Sequence, residues 1–286
     1  MGNFETWGRR ERPGEKLDSL MRGLADKLNQ ELGEAGGVPL VAGNGAINME
    51  AFGEFDVAAD KQKIWAKDLE WSAADNPNVQ EFYKEKYGAQ NAEEIVARYR
   101  QEKDRSASGQ LEKAVTAVFA KVLGSEYAVV RSATFDDYFG GIDNVLVNKK
   151  TGDVICAFDE VHGQAGQERH DKKMDKVKRI ALQGGASLKY GLSFEQGKPV
   201  KKSLTNIPVF YLALSNDELK ELLAKMSYDV NVQPNEAELK VFDKLIGLMR
   251  TQADILVQER LPENVKRNLE KFRQGAAYLK ERGAAA

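Results

Sequence analysis

The sequence predicts an α/β protein: a small mixed β-sheet core carrying clustered carboxylates, with α-helical additions on its N- and C-terminal sides. Three observations carry that expectation. Apolar residues recur at helical spacing up to Gly124. The period then changes to short β-branched and aromatic runs between Tyr127 and Leu214, and helical spacing returns after Ser215. The expected organisation is an N-terminal arm and helical region over 1–105, the α/β core over 106–215, and a C-terminal helical region over 216–286.

The elements follow in order. Arg9, Arg10 and Arg12 belong to a polar arm, after which Leu17, Leu20, Met21, Leu24 and Leu28 predict an amphipathic helix over 15–32. The glycine-rich stretch 33–53 reads as a flexible connection. Its Gly43-Asn44-Gly45 is not followed by Gly-Lys-Ser/Thr, so it is not a phosphate loop. Residues 57–124 read as helical. Asn91-Ala92-Glu93-Glu94 marks a capping box, and Ser106 or Ser108 opens a helix whose stripe is Leu111, Val115, Val118, Phe119 and Val122.

Strands are expected over 127–131, 142–147 and 154–161, with a turn at Asp136-Asp137 and a hairpin turn over 149–153. A basic helix should cover 167–182. Strands over 188–194 and 207–214 should follow, joined through Gln196-Gly197-Lys198-Pro199. Ser215-Asn216-Asp217-Glu218 is a second capping box, and Asn235 and Pro262 precede two long amphipathic helices.

Composition narrows the chemistry. With 30% charged and 42% hydrophobic residues, the chain is not of the disordered class. No apolar run approaches the ~20 residues that span a bilayer, so no membrane partner is expected. Cys156 is the single cysteine, which excludes an internal disulfide and a Cys-based zinc centre. Inside the run Val154-Ile155-Cys156-Ala157-Phe158 it reads as a small buried hydrophobe, and the expected setting is the reducing cytoplasm. His162 and His170 are the two histidines, too few for a multi-His metal site.

The residues that could carry chemistry are carboxylates. Asp143 and Asp159 fall on the two strands of the expected hairpin, which can bring them side by side. Adjacent carboxylates repel unless one is protonated, hydrogen-bonded or bridged by a cation. Mg2+ or Mn2+ suits a site of few carboxylates completed by water and phosphate oxygens, and the matching chemistry is attack of water on a phosphodiester. Glu112 lies about 20° around its helix from Phe119 at 3.6 residues per turn, close enough to the buried stripe to reach the sheet.

Taken together, Glu112 on the preceding helix, Gly141-Ile142-Asp143, and Ala157-Phe158-Asp159-Glu160-Val161 make residues 106–215 resemble the PD-(D/E)XK nuclease superfamily. The resemblance implies a restriction-endonuclease-like core that acts on nucleic acid, with Asp143 and Asp159 holding Mg2+ or Mn2+ and Glu112 assisting. In that superfamily a lysine stands two residues after the second acid. Here that position is Val161.

Taking Glu160 as the second acid puts His162 in the lysine's place, on the other face of the strand; the apolar-apolar-acid lead-in favours Asp159. The missing lysine is then sought on the following helix, at Lys172, Lys173 or Lys176, or at Lys189. Lys176 and Lys189 are assigned to stabilising the phosphate.

Residues 168–202 hold ten basic against four acidic side chains, a net of +6. Lys172, Lys173, Lys176, Lys178 and Arg179 are therefore the expected nucleic-acid-binding set, although such a run is also compatible with a solvated helix face. Two other functions fit the same residues: a nucleic-acid-binding module without catalysis, and a helical scaffold for a protein partner.

Overall fold

A computed structural model describes residues 13–33, 37–162 and 167–285; the expected basic arm lies outside the described residues. The chain begins with α1 (Pro13–Glu31), followed by α2 (Val57–Ser72), α3 (Pro77–Tyr87), α4 (Ala92–Arg105) and α5 (Ala107–Leu123). The core then runs β1 (Tyr127–Arg131), α6 (Thr134–Gly140), β2 (Asn144–Asn148), β3 (Val154–His162), α7 (Gln167–Leu182), β4 (Ala186–Glu195), β5 (Lys198–Ile207) and β6 (Val209–Leu214). Three helices close it: α8 (Asn216–Lys225), α9 (Glu236–Leu256) and α10 (Glu263–Ala285). Among the described residues, no helix is long and apolar enough to cross a membrane.

The expected mixed sheet has four strands in the order β1-β2-β3-β6. β1/β2 and β2/β3 are antiparallel hairpin-type neighbours, and β6 lies parallel to β3. A parallel neighbour requires a crossover, and α7 supplies its helix. The β4–β5 hairpin is inserted into that crossover and forms its own two-stranded sheet.

Helix α5 is the central beam. Ser106 Oγ accepts from Gly109 N–H (3.2 Å) at its start, and Leu111, Ala114, Val115, Val118, Phe119 and Val122 are buried. Phe119 meets Phe158 of β3 at 5.2 Å and Phe242 of α9 at 5.1 Å between ring centroids, so one side chain ties the sheet to the C-terminal helices. The open edge of β6 is covered by α9. Gln252 Oε1 accepts from Tyr211 N–H (2.9 Å), and Gln252 Nε2 donates to Tyr211 O (2.8 Å), replacing the two bonds a further strand would make. Lys121 of α5 and Glu238 of α9 form a fully buried ion pair at 2.7 Å, with the Ser227 carbonyl also accepting from Lys121.

Three expectations are corrected. The turn expected at Asp136-Asp137 is the short helix α6, and Asp136 is buried: its two carboxylate oxygens accept the N–H groups of Lys189 (2.7 Å) and Tyr190 (3.0 Å). A carboxylate accepting two backbone N–H groups anchors α6 to β4. The segment over 198–207 is a strand, not only a turn and its sequel; the consecutive Lys201, Lys202 and Ser203 break the apolar alternation that marks a strand, and most of its residues are only half-buried. The stretch 33–53 is also not simply a loose link. Ile47 N–H donates to Arg131 O and Arg131 N–H to Gly45 O, both at 2.9 Å, so this segment pairs with the end of β1.

Candidate functional site

The sheet face that meets α5 is settled by the ladder. Arg131 of β1 is the register partner of Asn144 of β2, and Asn144 is the register partner of Phe158 of β3. Directly paired residues share a face, as do residues two apart on one strand. Arg131, Asn144, Phe158 and Glu160 therefore share one face, and Asp159 points to the other.

On the α5 face the polar side chains form a chain of contacts. Thr116 of α5 donates to Asn144 Oδ1 (2.6 Å), and Asn144 Nδ2 donates to Glu160 Oε1 (2.5 Å). Glu160 N–H donates to Asp143 Oδ2 (2.8 Å). Arg131 Nη2 donates to Glu112 Oε2 (2.6 Å). The acid whose backbone is bonded to Asp143 is thus Glu160, where the sequence pointed to Asp159, and Glu112 is near enough for its charge to act on Asp143.

Asp159 is engaged elsewhere. Lys173 Nζ and Lys176 Nζ donate to its Oδ2 at 2.7 and 2.8 Å. Lys176 also lies 3.5 Å from Gly141 O, and a Cβ at Gly141 would stand 2.8 Å from its ammonium. Gly141 further has φ +61°, so glycine here serves both the left-handed turn into Asp143 and the lysine's approach. Lys176 is therefore near Asp143 in the chain's path, although its hydrogen-bonded carboxylate is Asp159.

Lys189 stands apart from this cluster. It pairs with buried Asp60 of α2, which also accepts from Tyr190 Oη (2.7 Å), and its ammonium lies over the Phe135 ring at 5.2 Å. Its position follows from β4 belonging to the separate hairpin sheet. Of the expected nucleic-acid-binding set, Lys173 and Lys176 face Asp159, and Lys178 pairs with Glu259 at 3.0 Å. Lys172 and Arg179 are exposed on α7. The side chains of His162 and His170 lie outside the described ones.

Electrostatics mark the Asp143–Glu160 pair as the unusual feature. Burial, then the charge of Glu112, pushes the Asp143 carboxyl up to about 7. Burial, then the charge of Asp143, raises Glu160 well above the carboxylate range. Burial also raises Glu112, against the opposing charge of Arg131. Asn144 satisfies one Glu160 oxygen; the other, Oε2, is buried and no donor among the described residues reaches it. A proton shared with Asp143 relieves this arrangement, and so does a cation.

A cleft of about 610 Å³ reaches the Glu112 and Arg131 end of this chain of contacts, with Asp137 and Lys103 also on its wall; Asp143 is half-buried and Glu160 lies buried behind the cleft lining. The donor set fits a hard divalent cation in one specific sense. Among the described residues no group of three or more His, Cys, Asp or Glu is arranged around a point. Mg2+, however, is commonly held by one or two carboxylates, with water and substrate phosphate completing six positions. Asp143 and Glu160 supply those two, and the orphaned Oε2 supplies an oxygen that lacks a counter-charge.

Glu160 was legible as a candidate but not as the choice. The signal that finds it is the register: Asn144 on the same face reaches it from the neighbouring strand. Compared with family models, curated proteins and solved structures, the chain matches none.

Proposed function

We propose that the chain is a metal-dependent nuclease-like protein of the PD-(D/E)XK type, acting on nucleic-acid phosphodiesters. The observation that carries the reading is the Asp143–Glu160 pair, with one buried glutamate oxygen that no donor among the described residues reaches, near Glu112 at the wall of an open cleft. The order α5-β1-β2-β3-α7-β6, with β6 parallel to β3, supports a restriction-endonuclease-like core.

In this reading Asp143 and Glu160 hold Mg2+ or Mn2+, which would supply positive charge to a phosphate oxygen and acidify the attacking water. Asn144 and Thr116 fix the Glu160 carboxyl on the α5 side. Glu112, with its raised proton affinity, is placed to accept a proton from water entering by the cleft. Asp159 is a positioning residue: it orders Lys173 and Lys176, and through them the face of α7 that offers Lys172 and Arg179 to a polyanion.

The test is cleavage of single- and double-stranded DNA and RNA with Mg2+ or Mn2+. The reading expects metal-dependent cutting that Asp143→Asn and Glu160→Gln each abolish. Cutting that persists in EDTA, or none on any substrate, overturns it.

A further inference from the structure

The chain lacks a lysine two residues beyond either acid on β3, so the positive charge that faces the phosphate must come from elsewhere. Of the lysines proposed from the sequence, Lys173 and Lys176 pair with Asp159 and Lys189 with Asp60, while Lys172 stands exposed on α7. Lys103 sits 3.7 Å from Asp137 and over the Tyr138 ring at 4.7 Å. The cation bonded directly to the carboxylate cluster is Arg131.

Its placement is over-determined. The Arg131 backbone is held on both sides, to the 45–47 segment through its N–H and C=O and to Asn144 across the β1–β2 ladder. Its side chain lines the cleft, with 14% of its surface exposed. One terminal nitrogen donates to Glu112, while the buried Nε has no partner.

Among the described residues, the buried side-chain atoms without a hydrogen-bond partner are Arg131 Nε and Glu160 Oε2. They are opposite in kind. One is a donor lacking an acceptor, and the other an acceptor lacking a donor. Both sit on the same sheet face, and hydrogen bonds run from Arg131 through Glu112, Thr116 and Asn144 to Glu160. Leaving such groups unpaired is costly, and a ligand that presents both an anionic oxygen and a cation answers both needs.

We propose that Arg131 is the phosphate-binding residue of this site. It grips a non-bridging oxygen of the scissile phosphate and takes the role that a strand lysine has elsewhere. The guanidinium suits the task because its planar fork can hold Glu112 and a phosphate oxygen at once, which an ammonium does less well. The assignment rests on the nuclease-like reading above, and it predicts substrate chemistry for the same cleft: a phosphodiester whose phosphate enters beside Arg131 and Glu112.

The experiment uses the full chain and titrates inorganic phosphate calorimetrically, with saturating Mn2+ and without metal, followed by oligonucleotide cleavage. Arg131→Gln should weaken phosphate binding at least about tenfold and lower kcat by about 10²–10³, as loss of a charge-stabilising donor does. Mn2+ affinity should stay within about threefold of wild type, because Asp143 and Glu160 are untouched. Arg131→Lys should recover part of the phosphate affinity.

Removing Arg131 leaves the half-buried Glu112 without its ion-pair partner. Arg131→Gln combined with Glu112→Gln keeps a neutral hydrogen-bonding pair and should show the same loss of phosphate binding. Wild-type phosphate affinity in the folded variants overturns the assignment, as does a loss that merely tracks loss of Mn2+. Mn2+-dependent cutting by Arg131→Gln at the wild-type rate overturns Arg131 alone. Phosphate binding that depends on Arg131 in a protein that takes up no Mn2+ and cuts nothing supports the anion site and removes the nuclease reading.

Discussion

The Glu160 backbone N–H donates to Asp143 Oδ2 at 2.8 Å, joining two residues whose carboxyls are pushed toward protonation, Asp143 by burial and the charge of Glu112, and Glu160 by burial and the charge of Asp143. Their order along the chain did not predict this partnership; the strand register produces it.

Proton linkage at this pair has a definite sign. Asp143, pushed up to about 7, and Glu160, raised well above the ordinary carboxylate range, bind protons more tightly folded than unfolded. Their contribution to stability is fully present below pH 4 and is lost as pH rises through 7. In metal-free protein, urea melts should show wild type losing stability relative to Glu160→Gln between pH 5 and pH 8, by on the order of 1–3 kcal/mol after solvent screening. Millimolar Mn2+ at pH 8 should restore the wild type and leave the variant unchanged. Parallel pH curves for the two proteins would show that the carboxyls do not interact.

Lys189 should be dispensable for the site and important for the fold. Lys189→Ala leaves Asp60 buried, with Tyr190 and Lys63 still bonded to it. A loss of about 1–3 kcal/mol in denaturant melts is expected, with Mn2+ affinity unchanged. Impaired Mn2+ binding in folded Lys189→Ala would bring Lys189 back into the site.

Gln252 supports the open sheet edge. Gln252→Leu removes the partners of both Tyr211 N–H and Tyr211 O, and should cost about 2–4 kcal/mol. Hydrogen exchange at the Tyr211 amide should accelerate more than at Phe210 or Leu212, whose amides lie within the β3–β6 pairing. Equal acceleration of all three would point to global loosening instead.

Lys121→Met should destabilise by about 3–5 kcal/mol, because Glu238 would stay buried with its charge uncompensated. The companion Lys121→Met/Glu238→Gln should regain part of that loss. No regain in the double variant would locate the effect in packing of the methionine rather than in the stranded charge.

Much of the fold was legible because its signals are local. Ser106 and Ser215 cap where the sequence places them, and the amphipathic stripes of α1, α5, α9 and α10 mark their buried faces. Helix α6 was hidden because Asp136 and Asp137 are ordinary turn residues; only the distant N–H groups of β4 explain a buried aspartate there. Strand β5 was hidden because the polar run Lys201-Lys202-Ser203 interrupts its alternation.

The choice between Asp159 and Glu160 could not be read from β3 itself. Every residue from Cys156 to Glu160 is buried, so both faces of the strand are covered and the alternation that identifies an inward face is absent. Asn144 decides it, and that contact depends on the register between two strands. The pairing of Lys173 and Lys176 with Asp159 was likewise beyond a sequence pattern, since it depends on where α7 crosses the sheet.

The central claim is that Asp143 and Glu160 form the cation site, and Mn2+ titration of metal-free protein at pH 8, read by electron paramagnetic resonance, tests it most directly. The account predicts one tight Mn2+ per chain, lost in Asp143→Asn and Glu160→Gln and retained within about threefold in Asp159→Asn. No tight Mn2+ in the wild type, or loss in Asp159→Asn with retention in Glu160→Gln, would contradict it.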